Sequence, residues 1–101
     1  MRCKVELHGD IVWYLRTYCN AQERQAFYEQ LAAVQQEPIR NSEFIFVPEM
    51  KPYMLRSFRF GLNKAVFEFD PAENRVRVLE CRKLKPKRPP GNGAKPNENG
   101  P

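Results

Sequence analysis

Apolar and polar positions alternate from residue 2 to residue 7, with Cys3, Val5 and Leu7 on one parity and Arg2, Lys4 and Glu6 on the other. A period of two predicts a half-buried strand. Gly9 and Asp10 interrupt it, and Asp10 is suited to N-cap a helix over about residues 11–19 with Ile11, Leu15 and Tyr18 as its apolar stripe. Asn20 and Glu23 have capping-box spacing and predict a second helix running to about Gln36, with Phe27, Leu31 and Val34 buried; Pro38 ends it. The short link makes the two helices a hairpin.

Between residues 38 and 52 the pattern is ambiguous. Phe44–Val47 is apolar and β-prone, but Pro48 and Pro52 bracket it. A short edge strand and a core-plugging loop both fit, and the prolines favour the loop. Three strands follow, over residues 53–60, 64–69 and 75–83, joined by Gly61-Leu-Asn63 and Asp70-Pro-Ala-Glu-Asn74. Tight turns make them antiparallel. The expected fold is α+β: an N-terminal strand, then a helical hairpin packed on one face of an antiparallel sheet, in the order β-α-α-β-β-β. Residues 1–84 form this domain. Residues 85–101 hold five of the nine prolines and one apolar side chain, Ala94, so a disordered basic tail is expected there.

Strand parity assigns the two faces of the sheet. Phe58, Phe60, Phe67 and Phe69 belong under the helices, and Val76 and Val78 with them. Arg59, Lys64, Arg77 and Lys83 then share the open face with Glu68, while Arg56 has the parity of the core and needs a bulge or a marginal position. Trp13 and Tyr14 read as core and margin residues of the first helix, and His8 as structural.

Charge sharpens this picture. Residues 1–48 carry five Lys/Arg against six Asp/Glu, whereas residues 49–88 carry eleven against five. Cations gathered on one segment suit a polyanion. The expected surface is lined by Arg59, Lys64, Arg77 and Lys83, with Arg82, Lys51 and Arg56 nearby and Tyr53 able to stack on a base. A merely solvated sheet face is the competing reading. Three cysteines without C-x-x-C spacing and a single histidine argue against a disulfide framework or a zinc site, and no cofactor is expected. No apolar run approaches the ~20 residues of a membrane span, and the N-terminus lacks a signal-peptide stretch. A cytoplasmic protein is expected.

The segments Tyr53–Gly61, Lys64–Pro71 and Arg75–Lys83 together resemble the RelE/ParE superfamily of bacterial toxins, including its HigB-like branch, with the likeness running over about residues 3–83. The resemblance implies the toxin of a toxin–antitoxin pair, with a cognate antitoxin as partner. RelE-like members are metal-independent endoribonucleases that cut mRNA on the ribosome: the ribose 2′-hydroxyl attacks the adjacent phosphate, and basic side chains stabilise the charge that develops. By position, Arg59, Lys64, Arg82 and Lys83 match the family's catalytic basic residues. Lys64 stands where arginine is usual, and the Tyr or His that nucleases of this family carry after the last strand is absent. ParE-like members instead poison DNA gyrase. A non-toxic nucleic-acid-binding descendant is the third reading, because fold does not fix function.

Overall fold

A computed structural model describes residues 2–85; apart from Lys85, the expected tail lies outside them. The elements are β1 (Lys4–Leu7), α1 (Gly9–Tyr18), α2 (Ala21–Gln36), β2 (Glu43–Phe46), β3 (Met54–Phe60), β4 (Asn63–Asp70) and β5 (Arg75–Lys83). They form one five-stranded sheet in the order β1-β5-β4-β3-β2. The α+β class and the strand–helix–helix–sheet succession are as expected, with two differences.

First, Glu43–Phe46 is a strand rather than part of a loop. It pairs antiparallel with β3 at the sheet's edge, through a register shift between Phe44 and Phe46. Prolines outside an edge strand cost it no ladder hydrogen bonds, so the brackets at Pro48 and Pro52 delimit the strand instead of forbidding it. Second, the sheet is mixed. β1 runs parallel to β5, Lys4 opposite Arg75 through Leu7 opposite Val78. Tight turns dictate antiparallel pairing only for strands they join, and two helices intervene after β1.

The helices form for the reasons legible in the chain. The Asn20 side chain accepts from the Glu23 N–H at 2.8 Å and the Glu23 carboxylate accepts from the Asn20 N–H at 3.0 Å, a complete capping box. α1 begins two residues before the expected start. His8 is its N-cap, with Nδ1 accepting from the Asp10 N–H at 3.4 Å, and Asp10 sits in the first turn, where a carboxylate favours the helix dipole. The Arg24 guanidinium donates to the Cys19 carbonyl at 2.6 Å and to that of Leu15 at 3.3 Å, tying the end of α1 to the start of α2.

α1 lies over β5 and α2 over β3. Ile11, Leu15, Phe27, Leu31 and Val34 meet Phe58, Phe60, Ala65, Phe67, Val76 and Val78 in a single core. Phe27 is its centre, with ring centroids 5.1 Å from Phe60 and 5.7 Å from Phe58. Trp13, in contrast, is 58% exposed rather than a core residue.

At the β3–β4 turn, Gly61 has φ 60°, a left-handed conformation that costs glycine nothing. Asn63 beside it is fully buried, and its polar atoms are satisfied. Its amide donates to the Glu23 carboxylate at 2.8 Å and to the Phe60 carbonyl at 3.2 Å, and it accepts from the Tyr14 hydroxyl at 2.8 Å. This network locks both helices to the end of the sheet that carries Arg59 and Lys64.

Candidate nucleic-acid interface

The antiparallel registers bring three cations into one row on the open face. Arg59 is opposite Lys64, and Lys64 is opposite Arg82. With strands spaced by ~4.8 Å, the row spans about 10 Å. Arg59 and Arg82 are exposed and Lys64 is half-buried. Among the described residues, neither Arg59 nor Lys64 forms a salt bridge, and Arg82 Nε lies 3.3 Å from the Glu80 carboxylate.

Arg82 joins this row because of a bulge. The register between β4 and β5 shifts after Phe67–Val78, so that Val66 faces Glu80 and Leu79 is the extra residue. One added residue inverts the parity of everything beyond it. Val76 and Val78 face the core before the bulge; Cys81, opposite Ala65, and Lys83, opposite buried Asn63, are on the core side after it. Lys83 is therefore not on the open face. Its Nζ lies 3.8 Å from Glu23, at the margin beneath the helices.

A second row lies next to the cations. Glu43 is opposite Ser57, Ser57 opposite Val66 and Val66 opposite Glu80, so a carboxylate stands at each end of a small, buried floor. Ser57 is 2% exposed and Val66 9%. The long stems of neighbouring Arg and Lys side chains are suited to cover such a floor while their charged heads stay in water.

Arg77 is placed on the open face as expected, but in its other half, where carboxylates neutralise it. Its guanidinium lies 3.0 Å from Glu6 and 3.5 Å from Glu68. The Glu6 carboxylate holds its pKa above the usual arginine value. Arg75 is bracketed by Glu6 and Asp70, each at 3.8 Å. Tyr53 belongs to this half too; burial and the neighbouring Glu68 carboxylate raise its hydroxyl above the usual tyrosine range. It is six residues from Arg59 along β3, about 20 Å at strand rise. Lys51 is exposed in the β2–β3 loop near the same end.

Arg56 is not a surface cation. It is 7% exposed, on the core-side parity, and is held at the sheet margin. Its Nη2 donates to the carbonyls of Ile39 at 3.1 Å and Ser42 at 3.0 Å, Nε donates to the Ser42 hydroxyl, and the guanidinium stands 5.9 Å from the Phe44 ring centroid. A buried cation whose oxygen partners all come from the loop before β2 is a fastener for that loop, which explains the parity without a bulge.

The structure thus gathers Arg59, Lys64 and Arg82, sets Lys83 behind them, separates Lys51, Tyr53 and Arg77 from them, and buries Arg56. Glu43 and Glu80 stand at the ends of the neighbouring row and were missed in the sequence. Each becomes visible only once the strand registers are known, since neither lies in a motif. Three cations on a rigid sheet, without a covering acid on two of them, can bind successive phosphates and stabilise negative charge developing on a phosphoryl oxygen.

No family model matches the chain, and neither does any curated protein. Solved structures do resemble it. An archaeal RelE–RelB complex from Pyrococcus horikoshii OT3 contains a chain similar at a TM-score of 0.70 with 18% identity, covering 82% of this chain and 96% of that one. A mutant of the E. coli toxin RelE in the free state is similar at a TM-score of 0.61 with 15% identity, covering 82% and 84%. At such identities the likeness is one of fold, and the fold of this chain is that of the RelE-like toxins.

Proposed function

We propose that this protein is the toxin of a toxin–antitoxin pair and acts as a metal-independent mRNA endonuclease through the open face of its sheet. The observation that carries the reading is the row of Arg59, Lys64 and Arg82, the first two without an acidic partner among the described residues and the third with Glu80 alone, amid a face where Arg75 and Arg77 are each held by two carboxylates. In this reading the scissile phosphate lies on the row, Arg59 and Lys64 hold its non-bridging oxygens, and Arg82 is positioned by Glu80. The ribose 2′-hydroxyl attacks the phosphorus and gives its proton to solvent water, the 5′-oxygen leaves and takes a proton from water, a 2′,3′-cyclic phosphate remains, and charge on the phosphorane oxygens meets cations already in place. Lys64 supplies a point charge where an arginine would give a bidentate fork. An antitoxin would cover the same row with an acidic segment, as charge complementarity requires, and a RelE-like chain does occur in complex with RelB.

Among the described residues, the row includes neither histidine nor tyrosine, which favours a second reading in which the face binds without cutting, whether as a gyrase inhibitor or as a non-toxic binder. Mapping of transcript 5′ ends after induction in bacteria separates them. The nuclease predicts new ends inside coding regions that disappear with Arg59→Ala. Unchanged ends with arrested growth and DNA-damage signalling would replace it with gyrase inhibition.

A further inference from the structure

The sheet is incomplete beside the cationic row. β1 covers β5 only as far as Val78, so the outer edge of β5 from Leu79 to Lys83 has no strand neighbour among the described residues. α1 passes over this gap and leaves a cleft of about 350 Å³ lined by Asp10, Ile11, Trp13, Tyr14, Leu79, Glu80 and Cys81. That volume is at the small end of the ~300–1,000 Å³ range of ligand clefts and suits one planar ring better than a helix.

The lining has an unusual division of chemistry. Ile11, Tyr14, Leu79 and Cys81 are uncharged walls; burial pushes both the Tyr14 hydroxyl and the Cys81 thiol up to about 12, so both stay protonated. The Tyr14 hydroxyl is already spent on Asn63. Trp13 stands 58% exposed at the mouth, held edge-on by the Tyr18 ring at 5.4 Å. Its exposure has no packing explanation, and an exposed indole is a stacking platform. The charged groups of the lining are both carboxylates, Asp10 and Glu80. They repel phosphate and accept N–H donors. Glu80 is also continuous with the row, through its contact with Arg82 at 3.3 Å. The cleft lies on the helix side of the sheet and the cations on the open side, so a strand of RNA whose phosphates lie on the cations would reach it round the free edge of β5, where Glu80 both lines the cleft and contacts Arg82.

Resting on the RNA-binding reading above, we propose that this cleft receives one nucleobase of the bound single strand, with Trp13 stacking on its face and Glu80 reading the Watson–Crick edge of guanine. Guanine is the base that presents two adjacent N–H donors, N1–H and the 2-amino group, which matches the two oxygens of a carboxylate. The pairing with Arg82 leaves lone-pair sites on Glu80 free to accept them. Uracil presents one donor between two carbonyls, and adenine and cytosine each place an acceptor beside their amino group, which a carboxylate repels. Single-stranded bases expose this edge for readout.

Trp13 is the chain's single tryptophan, so its fluorescence reports the cleft directly. The full chain is titrated with 2′-O-methyl adenylate hexamers carrying one central G, A, C or U; the blocked 2′-hydroxyl makes binding readable whether or not the protein cleaves. The expected result is strong quenching and roughly tenfold tighter binding of the G hexamer, within the span of one bidentate base contact. Glu80→Gln removes that preference while the quenching remains, and Trp13→Ala, followed by the anisotropy of labelled hexamers because it has no tryptophan left to report, weakens all four. Binding that Arg59→Ala weakens but that leaves Trp13 fluorescence unchanged, or a preference for G that survives Glu80→Gln, overturns the cleft assignment and spares the RNA reading. Absence of binding to any hexamer at low salt, or binding indifferent to Arg59→Ala, overturns both. Quenching by a protein partner and by none of the hexamers would make the cleft a protein-docking surface and end the proposal.

Discussion

Salt dependence distinguishes bare cations from neutralised ones, and the two halves of the open face should differ in it. Each phosphate contacted on a single strand contributes about −0.7 to the slope of log K against log salt, through release of condensed counterions. Three contacts, from Arg59, Lys64 and Arg82, which has one acidic neighbour at 3.3 Å where Arg77 has two, give a slope of about −2. Raising salt from about 50 to 200 mM should then weaken binding of a short single-stranded RNA roughly 20-fold. Arg59→Ala removes one contact, so the slope should fall to about −1.4 and the same salt step should cost roughly 7-fold. Arg77→Ala is the decisive control. It deletes a charge from the same face, but one already within 3.0 Å of Glu6 and 3.5 Å of Glu68. The slope should therefore stay near the wild-type value. Fluorescence anisotropy with a labelled oligonucleotide at four salt concentrations measures all three proteins. Equal loss of slope in both variants would show that the face acts through total charge, and the assignment of the site to one row would be wrong.

Arg56→Ala should destabilise the fold by about 2–4 kcal/mol, because it strands the carbonyls of Ile39 and Ser42 that its guanidinium satisfies; thermal melts should show a fall of 10 °C or more, and a shift under 3 °C would contradict its role as a fastener. The Asn20 N–H and the Asn63 amide hold the Glu23 carboxyl below its usual range. Its stabilisation is full above the unfolded-state value, about 4.3, and is lost as pH falls through the lower folded-state value. Denaturation of Glu23→Gln against wild type should therefore show a stability gap at pH 7 that closes on acidification; a constant gap would remove the carboxylate from the argument. Arg82→Ala should weaken RNA binding several-fold at low salt, and Lys83→Ala should leave it within twofold; the reverse order would place the bulge elsewhere than Leu79.

The bulge explains why the sequence yields the fold more readily than the site. Helix stripes, capping box and turns are local signals, and the core they imply is the core observed except at Trp13 and Tyr18, which stand 58% and 49% exposed. The site depends on register, which is not local. Yet the signal for the bulge is present: apolar residues fall on even positions at Val76 and Val78 and on odd ones at Leu79 and Cys81. Two apolar neighbours at the switch point are what an inserted residue leaves behind. Taken as a diluted open face, they place Lys83 with the cations; taken as a change of parity, they place Arg82 there. The β2 strand was concealed differently, because proline depletion is a rule for strand interiors and says little about the flanks of a four-residue edge.

Charge count alone points to the segment 49–88 but not to the surface that works. Among the described residues, its cations are divided by pairing. Arg75 and Arg77 serve the β1–β5–β4 end of the sheet as partners for Glu6, Glu68 and Asp70. Arg56 is enclosed by the loop it fastens. Lys83 steadies Glu23, and through it the Asn63 network beneath Lys64. Those pairings hold the sheet in shape and, among the described residues, leave Arg59 and Lys64 unmatched at one end. Unmatched cations held side by side on a rigid surface are costly for a monomer, since like charges repel at this spacing. On the reading proposed above, a polyanion laid across them would relieve that cost, and an acidic antitoxin and an RNA backbone would compete for one row.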